Sequence, residues 1–247
     1  MGSADAGSAA ITLAGVEAVL DPGGALWLPA FDALVVADLH FEKASHFAAA
    51  GYLVPPYDTA RTLDALEAMV ARRRPSLVVS LGDAFHDPAG PSRMRLPDRV
   101  RLQALVAPRD WVWVTGNHDP EPLDWSDGGA AESVGAAESV DELRLGPLTL
   151  RHEPTEGPLA GSADVPRGEV SGHLHPVARI GRGRRGVRRP CFACDGTRLV
   201  LPAVGAFTGG LNVCDRAFDG VLERDLLVAH MLGEDRVYSV SGAALCG

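Results

Sequence analysis

Residues Ser171 to Pro176 read SGHLHP, two histidines one residue apart behind a glycine, in a chain with only eight histidines. Other metal-competent side chains recur in short segments: Asp38 and His40 in VVADLH, Asp83 in VVSLGD, Asn117, His118 and Asp119 in VWVTGNHD, and His152 in LTLRHE. These donors are oxygen and imidazole without thiolate, a set that suits hard-to-borderline divalent ions such as manganese, iron or zinc. Six or seven of them exceed what one tetrahedral ion uses, and a carboxylate can bridge two ions. The pattern therefore predicts a two-metal centre with ions about 3.5–4 Å apart.

Each segment follows an apolar run, so the elements needed to position it can be read from the pattern. ALWL, ALVVA, SLVVSL, WVWVT and RLVLPAV read as strands, and ELRLGPLTLR as a hairpin turning at Gly146-Pro147. DTARTLDALEAMVARRR carries Leu63, Leu66, Met69 and Val70 at helical spacing with Asp58 or Thr59 as cap, and PDRVRLQALVA reads as a helix opened by Pro97. The candidate residues thus fall at the carboxyl ends of strands, where open α/β sheets bind ligands. An extended backbone projects side chains two apart to one face, so Asp38 with His40, and His173 with His175, are each expected to grip one site.

The rest of the chain sets bounds. At 247 residues it can bury a substantial core, and without an internal repeat or a long linker it reads as one α/β domain over 11–247. Residues 1–10, small and uncharged apart from Asp5, are expected to form a disordered tail. The net charge of −9 argues against a general polyanion-coating protein, while leaving room for a local patch. No apolar run is long enough for a membrane span and the start has no signal-peptide pattern, so the expectation is a cytoplasmic protein with no membrane partner. CFAC at 191–194 lacks a second CxxC; with Cys214 and Cys246 these are expected to be free thiols. From Asp119 to Leu143 every charged residue is acidic, which reads as a solvated loop. RIGRGRRGVRR, from Arg179 to Arg189, is strongly basic.

Taken alone, an Asp-x-His or a Gly-Asp after a strand is commonly a turn or a cap. Five blocks in order are another matter. Asp38/His40, Gly82-Asp83, Gly116-Asn117-His118-Asp119, His152 and Gly172-His173-Leu174-His175 resemble the signature of the calcineurin-like metallophosphoesterases. ADLHFEKAS, LGDAFHD, LRHEP, SGHLHP and LPAVGAFTGGLNV resemble, more narrowly, the ligase-associated DNA damage response endonuclease (PdeM) family, over about residues 11 to 230. The resemblance implies a four-layer αββα sandwich of two mixed β-sheets flanked by helices. It implies that Asp38, His40 and His175 hold one ion and Asn117, His152 and His173 the other, with Asp83 bridging. His118 would face the substrate as general acid or phosphate stabiliser.

The implied activity is a manganese-dependent DNA endonuclease acting in repair, in which a hydroxide shared by the ions attacks phosphorus in line with the leaving oxygen. Functional association with a DNA ligase and a helicase is implied by the family name alone. Two positions depart from the superfamily pattern: Glu42 stands where many members have glycine, and His86, followed by Asp87, where many have the aspartate that orients the catalytic histidine. Asp87 or Asp119 is then the candidate to orient His118, or His86 itself touches the phosphate, or His86 merely packs a turn. Lys43 and the arginines Arg182, Arg184 and Arg185 are candidates to contact a nucleic-acid backbone; a solvated hairpin tip is the other reading of the arginine run. A phosphatase or small-molecule phosphodiesterase on the same site, and a metal-binding scaffold without chemistry, are the rival functions.

Overall fold

A computed structural model describes residues 6–120, 138–159, 167–181 and 186–246. Its first sheet runs in sequence order: β1 (Ala9–Leu13), β2 (Val16–Leu20), β3 (Leu26–Leu28), β4 (Ala33–Ala37), β5 (Leu77–Leu81), β6 (Asp110–Val114) and β7 (Glu138–Val140). β1 to β4 pair antiparallel, and β4 to β7 pair parallel. Between the parallel strands lie α1 (Lys43–Ala49), α2 (Asp58–Arg73), α3 (Gly90–Arg93) and α4 (Leu96–Val106). The second sheet comprises β8 (Glu142–Leu145), β9 (Leu148–Arg151), β10 (Gly168–Ser171), β11 (Pro176–Ile180), β12 (Val187–Cys194), β13 (Arg198–Val200) and β14 (Leu211–Asn212), in the order β14-β11-β12-β13-β10-β9-β8. β15 (Val228–Leu232) joins it through β12, and β16 (Val237–Ser241) through β15.

The largely apolar runs of β4, β5 and β6, interrupted only by Ser80 and begun by Asp110 in β6, follow from their being covered on both faces, as parallel strands are. Val35, Ala37, Val79, Leu81, Val112 and Val114 point between the sheets and meet Leu148, Leu150, Val170, Phe192 and Leu199. Their alternates Leu34, Val36, Val78, Trp111 and Trp113 face α2 and α4, through Leu63, Leu66 and Met69 of α2 and Leu102 of α4. The far face of the second sheet is closed over Phe218, Leu222 and Leu227 by segments that include short 3-10 turns at Arg216–Phe218 and Arg224–Leu226. The result is the expected sandwich of two mixed sheets, with the fourth layer among the described residues built from 3-10 turns. No helix among the described residues is long and apolar enough to cross a membrane.

Several local expectations are corrected. β1 starts at Ala9, inside the segment expected to be a tail, because Gly7 O accepts from Val237 N and the strand pairs with β2 from Ala9; residues 1–5 lie outside the described residues. Neither Asp58 nor Thr59 caps α2, whose N-cap is Tyr57. Their side chains reach back to α1 instead: Asp58 Oδ2 accepts from Ala44 N at 2.8 Å, and Thr59 Oγ1 accepts from Glu42 N at 2.9 Å. The acidic segment contains β7, which pairs with β6, while its residues 121–137 lie outside the described residues. The hairpin at Gly146-Pro147 forms as read, as β8 and β9. All four cysteines are free, and burial pushes the thiol of Cys194 up to about 11.

Candidate metal centre

Five strand ends converge. β4, β5 and β6 are parallel, as are β9 and β10, so their carboxyl ends lie along one edge of each sheet. Asp38 and His40 follow β4, Asp83 follows β5, Asn117 and His118 follow β6, His152 follows β9, and His173 and His175 follow β10. The structure brings all seven residues expected to ligate metal into one cluster.

They divide into two sets. In the first, His175 Nε2 lies 3.3 Å from His40 Nε2 and 3.3 Å from Asp38 Oδ1. In the second, Asn117 Oδ1 lies 3.0 Å from His152 Nε2 and 2.9 Å from His173 Nδ1, and these two nitrogens are 3.2 Å apart. Asp83 stands between them, with Oδ2 3.7 Å from His40 Nε2 and Oδ1 3.5 Å from His152 Nε2. Donors around one small divalent ion stand about 3 Å apart, the spacing that ligand distances near 2.1 Å produce.

Backbone carbonyls set the tautomers that this convergence needs. His152 Nδ1–H donates to Leu81 O at 2.9 Å, and His175 Nδ1–H donates to Gly209 O at 3.3 Å, which leaves each Nε2 lone pair pointing into the cluster. Burial, followed by the field of His175, pushes His40 down to about 2, and burial also lowers His173. Burial thus favours the neutral form of both, the form that can donate a lone pair. Burial opposes protonation of His175 too, but the hydrogen bond and charge of Asp38 outweigh it and raise that group. Imidazole lone pairs facing one another at 3.2–3.3 Å repel unless a proton or a cation lies between them, and the donor set fits two divalent ions.

The backbone here is not extended, which overturns the alternation argument. Asp38 (φ 54°), His40 (43°), Asp83 (48°), His173 (66°) and His175 (44°) all occupy the left-handed region. Such a conformation costs a residue with a Cβ about 1–2 kcal/mol, a cost that clusters at functional sites. Glu42 shares it (φ 62°), the conformation that suits the glycine many members carry, so this chain bears the strain there. Thr59 holds the strained turn, since its hydroxyl accepts from Glu42 N and donates to Glu42 Oε1 at 2.9 Å. Gly82 (φ 68°) has no such freedom to change: a Cβ there would lie 2.4 Å from the His152 ring.

The neighbours of His118 resolve the open assignments. His118 N donates to Asp83 Oδ1 at 2.9 Å, and His118 Nδ1–H donates to His86 O at 2.8 Å, so Nε2 turns toward the cluster, 4.0 Å from Asp83 Oδ2. Neither Asp87 nor Asp119 orients it. Asp87 pairs with His46 and Arg93. Asp119 is buried and accepts from Asp83 N and Phe85 N, which fixes the Asp83 loop; burial pushes its carboxyl up to about 6. His86 stacks on His118 at 4.8 Å and places Nδ1 3.4 Å from His40 Nδ1, so it is part of the site and not a turn filler. Lys43 is partly buried, within the fields of Asp83 and Asp58. Arg182, Arg184 and Arg185 lie outside the described residues. The carbonyls of Leu81, His86 and Gly209, which orient three imidazoles, could not be singled out in the sequence. A backbone acceptor leaves no residue-specific mark.

The calcineurin-like phosphoesterase family model matches residues 31–176. Among solved structures, the nuclease MPE of Pseudomonas putida superposes with a TM-score of 0.70 and 27% identity, covering 94% of this chain and 100% of that one. The phosphoesterase Yfce of E. coli aligns at 17% identity and a TM-score of 0.39, over 85% of this chain and 98% of the other. No curated protein sequence matches.

Proposed function

The chain belongs to the calcineurin-like phosphoesterases, and from that premise we propose that it is a two-metal phosphodiesterase that cleaves DNA. The reading goes further, to a manganese-dependent endonuclease of cytoplasmic DNA repair, working alongside a ligase and a helicase. The observation that carries the two-metal part is the carboxylate of Asp83, whose two oxygens face separate donor sets. The similarity to the Pseudomonas putida nuclease supports DNA as the substrate.

Two divalent ions, manganese foremost with iron or zinc as alternatives, supply Lewis acidity that acidifies water and offsets charge on the phosphoryl oxygens. The chain's own groups do the rest. Asp38, His40 and His175 would hold one ion, Asn117, His152 and His173 the other, and Asp83, whose oxygens face both sets, would be shared by them. His118, its Nδ1–H committed to the His86 carbonyl, presents Nε2 to the substrate. Protonated there, it neutralises the departing oxygen, a contribution of roughly 10²–10⁴-fold in rate. With Nδ1 turned to His40, His86 keeps Nε2 for the phosphate, and Lys43 balances the charge of the bound diester.

One observation favours the narrower reading of a small-molecule phosphodiesterase. A cavity of about 540 Å³ beside Asn117 and His152 is lined by Asp141, Glu142 and Glu153, with Arg151 the single cation among the described residues that line it. An acidic lining disfavours a long polyanion on that side. The test is a manganese-supplemented assay of wild-type and Asp83→Ala protein on plasmid DNA, single-stranded DNA, bis-p-nitrophenyl phosphate and p-nitrophenyl phosphate. Loss of diester and DNA cleavage in the variant, with its metal content reduced, is the expected result. Turnover of the monoester alone by wild type rejects the nuclease.

A further inference from the structure

His118 takes its orientation from one main-chain oxygen, and the peptide that carries this oxygen is held in turn. The oxygen is that of His86, in the peptide joining His86 to Asp87, and it accepts from His118 Nδ1–H at 2.8 Å. Upstream, His86 N donates to Phe41 O at 3.0 Å. Downstream, the Asp87 carboxylate is met from three places. Ala89 N donates to Oδ1 at 2.9 Å, within the same turn. Arg93 of α3 donates Nη1–H to Oδ1 at 2.9 Å and Nη2–H to Oδ2. His46 of α1 donates Nδ1–H to Oδ2 at 2.8 Å. Arg93 Nε–H then reaches back to α1, to Ser45 Oγ at 3.0 Å.

A carboxylate accepts at about four positions, and these donors fill them. A lone ion pair near the surface adds little, but a forked arginine–carboxylate pair with two further donors fixes geometry as well. None of the four bonds reaches His118 or the seven cluster residues. What they hold is the direction of the His86 carbonyl, because that oxygen belongs to the rigid peptide plane that ends at the Asp87 Cα. The His46 ring adds to the hold, meeting the His86 ring at 4.8 Å and 86°. An imidazole is aimed at one nitrogen by the bond that the other makes. With the carbonyl turned away, His118 Nδ1–H has lost its acceptor, and both the tautomer and the ring angle are set free.

Resting on the reading of His118 as the acid that protonates the departing oxygen, we propose that Asp87, Arg93 and His46 form a clamp of positioning residues that fixes the His86 carbonyl and, through it, the aim of His118. The clamp serves the leaving-group step. It bears on neither the holding of metal nor the binding of substrate.

The test measures kcat and KM, with manganese, for wild type, Asp87→Asn, Arg93→Gln, His118→Ala and the double variant Arg93→Gln/His118→Ala on two diesters. Bis-p-nitrophenyl phosphate releases p-nitrophenolate, which departs without a proton. The phenolate of diphenyl phosphate is a poorer leaving group and gains from one. Asp87→Asn and Arg93→Gln are each expected to lose about tenfold or more in kcat on diphenyl phosphate at unchanged KM, a part of what general acid catalysis supplies. On bis-p-nitrophenyl phosphate they should stay within about twofold of wild type. In the His118→Ala background, Arg93→Gln should cost nothing further, since groups that act as one unit are not additive. Wild-type kcat on diphenyl phosphate in both single variants overturns the clamp. Equal loss on the two diesters overturns it as well, as does a loss that multiplies that of His118→Ala, because each is a general structural effect. If His118→Ala itself loses equally on both diesters, the leaving-group role of His118 falls and the clamp falls with it.

Discussion

The substitution Gly82→Ala separates the cost of a strained backbone from the cost of a displaced metal-holding imidazole. At φ 68°, the alanine pays the left-handed penalty of about 1–2 kcal/mol. Its Cβ also lies 2.4 Å from the His152 ring, where ordinary contact begins at 3.4 Å, so the ring must yield by the difference of 1.0 Å. His152 is held at Nδ1 by Leu81 O and at Nε2 by Asn117 Oδ1, so the shift breaks the convergence of the second donor set. A displacement of that size costs a catalytic constellation about 10²-fold. Gly15→Ala is the control. Its φ is 82° and nothing lies within 4 Å of the added carbon, so it carries the strain without the collision. Both variants are expected to melt a few degrees below wild type, about 2–4 °C per kcal/mol for a chain of this size. Only Gly82→Ala should lose about two orders of magnitude in hydrolysis of bis-p-nitrophenyl phosphate and bind fewer manganese ions by mass spectrometry. Equal activity in the two variants refutes the placement of His152 against Gly82.

Three further outcomes follow, two from the structure and one from the sequence. His118→Ala should keep its metal content and lose about 10²–10⁴-fold in rate, because its side chain serves the leaving group; loss of metal in this variant, or full activity, contradicts that role. Burial would push the Asp87 carboxyl up, but its bonds to Arg93 and His46 outweigh this and hold it down at about 2, against 3.8 when unperturbed. Its stabilisation is therefore present above about pH 4 and fades as pH falls toward 2, amounting to at most about 2 kcal/mol. Urea melts of wild type and Asp87→Asn should differ at pH 7, and the gap should narrow below pH 4 and close near pH 2; a gap that stays constant with pH refutes it. Replacing Arg182, Arg184 and Arg185 by Gln should weaken DNA binding and flatten its dependence on salt while sparing the small diester; equal loss on both substrates counts against a backbone-tracking loop.

What the sequence disclosed and what it hid divide along one line. The seven cluster residues were legible because each sits in a short block directly behind an apolar strand, and parallel strands carry their ends to a common edge. The partners that make the cluster work were not. Glu42 and Thr59 are 17 positions apart, and His46 and Asp87 are 41 apart, so no local pattern announces either pair. Asp58 and Thr59 look like helix caps in the sequence because the same side-chain oxygens serve either purpose, and only the fold decides which amide they meet. The left-handed turns at Asp38, His40, His173 and His175 were hidden for a related reason. A spacing of two suits an extended chain as well as a tight turn, and the choice is made by the surrounding contacts.

Asp38, His40, Asp83 and Asn117 come from one sheet, and His152, His173 and His175 from the other. On the two-metal reading, a pair of bound cations would work as a clasp across the two layers, which could not part without releasing it. The melting temperature should climb with free metal, each tenfold excess over the dissociation constant adding about 1.4 kcal/mol, so resistance to heat becomes a gauge of how fully the clasp is loaded.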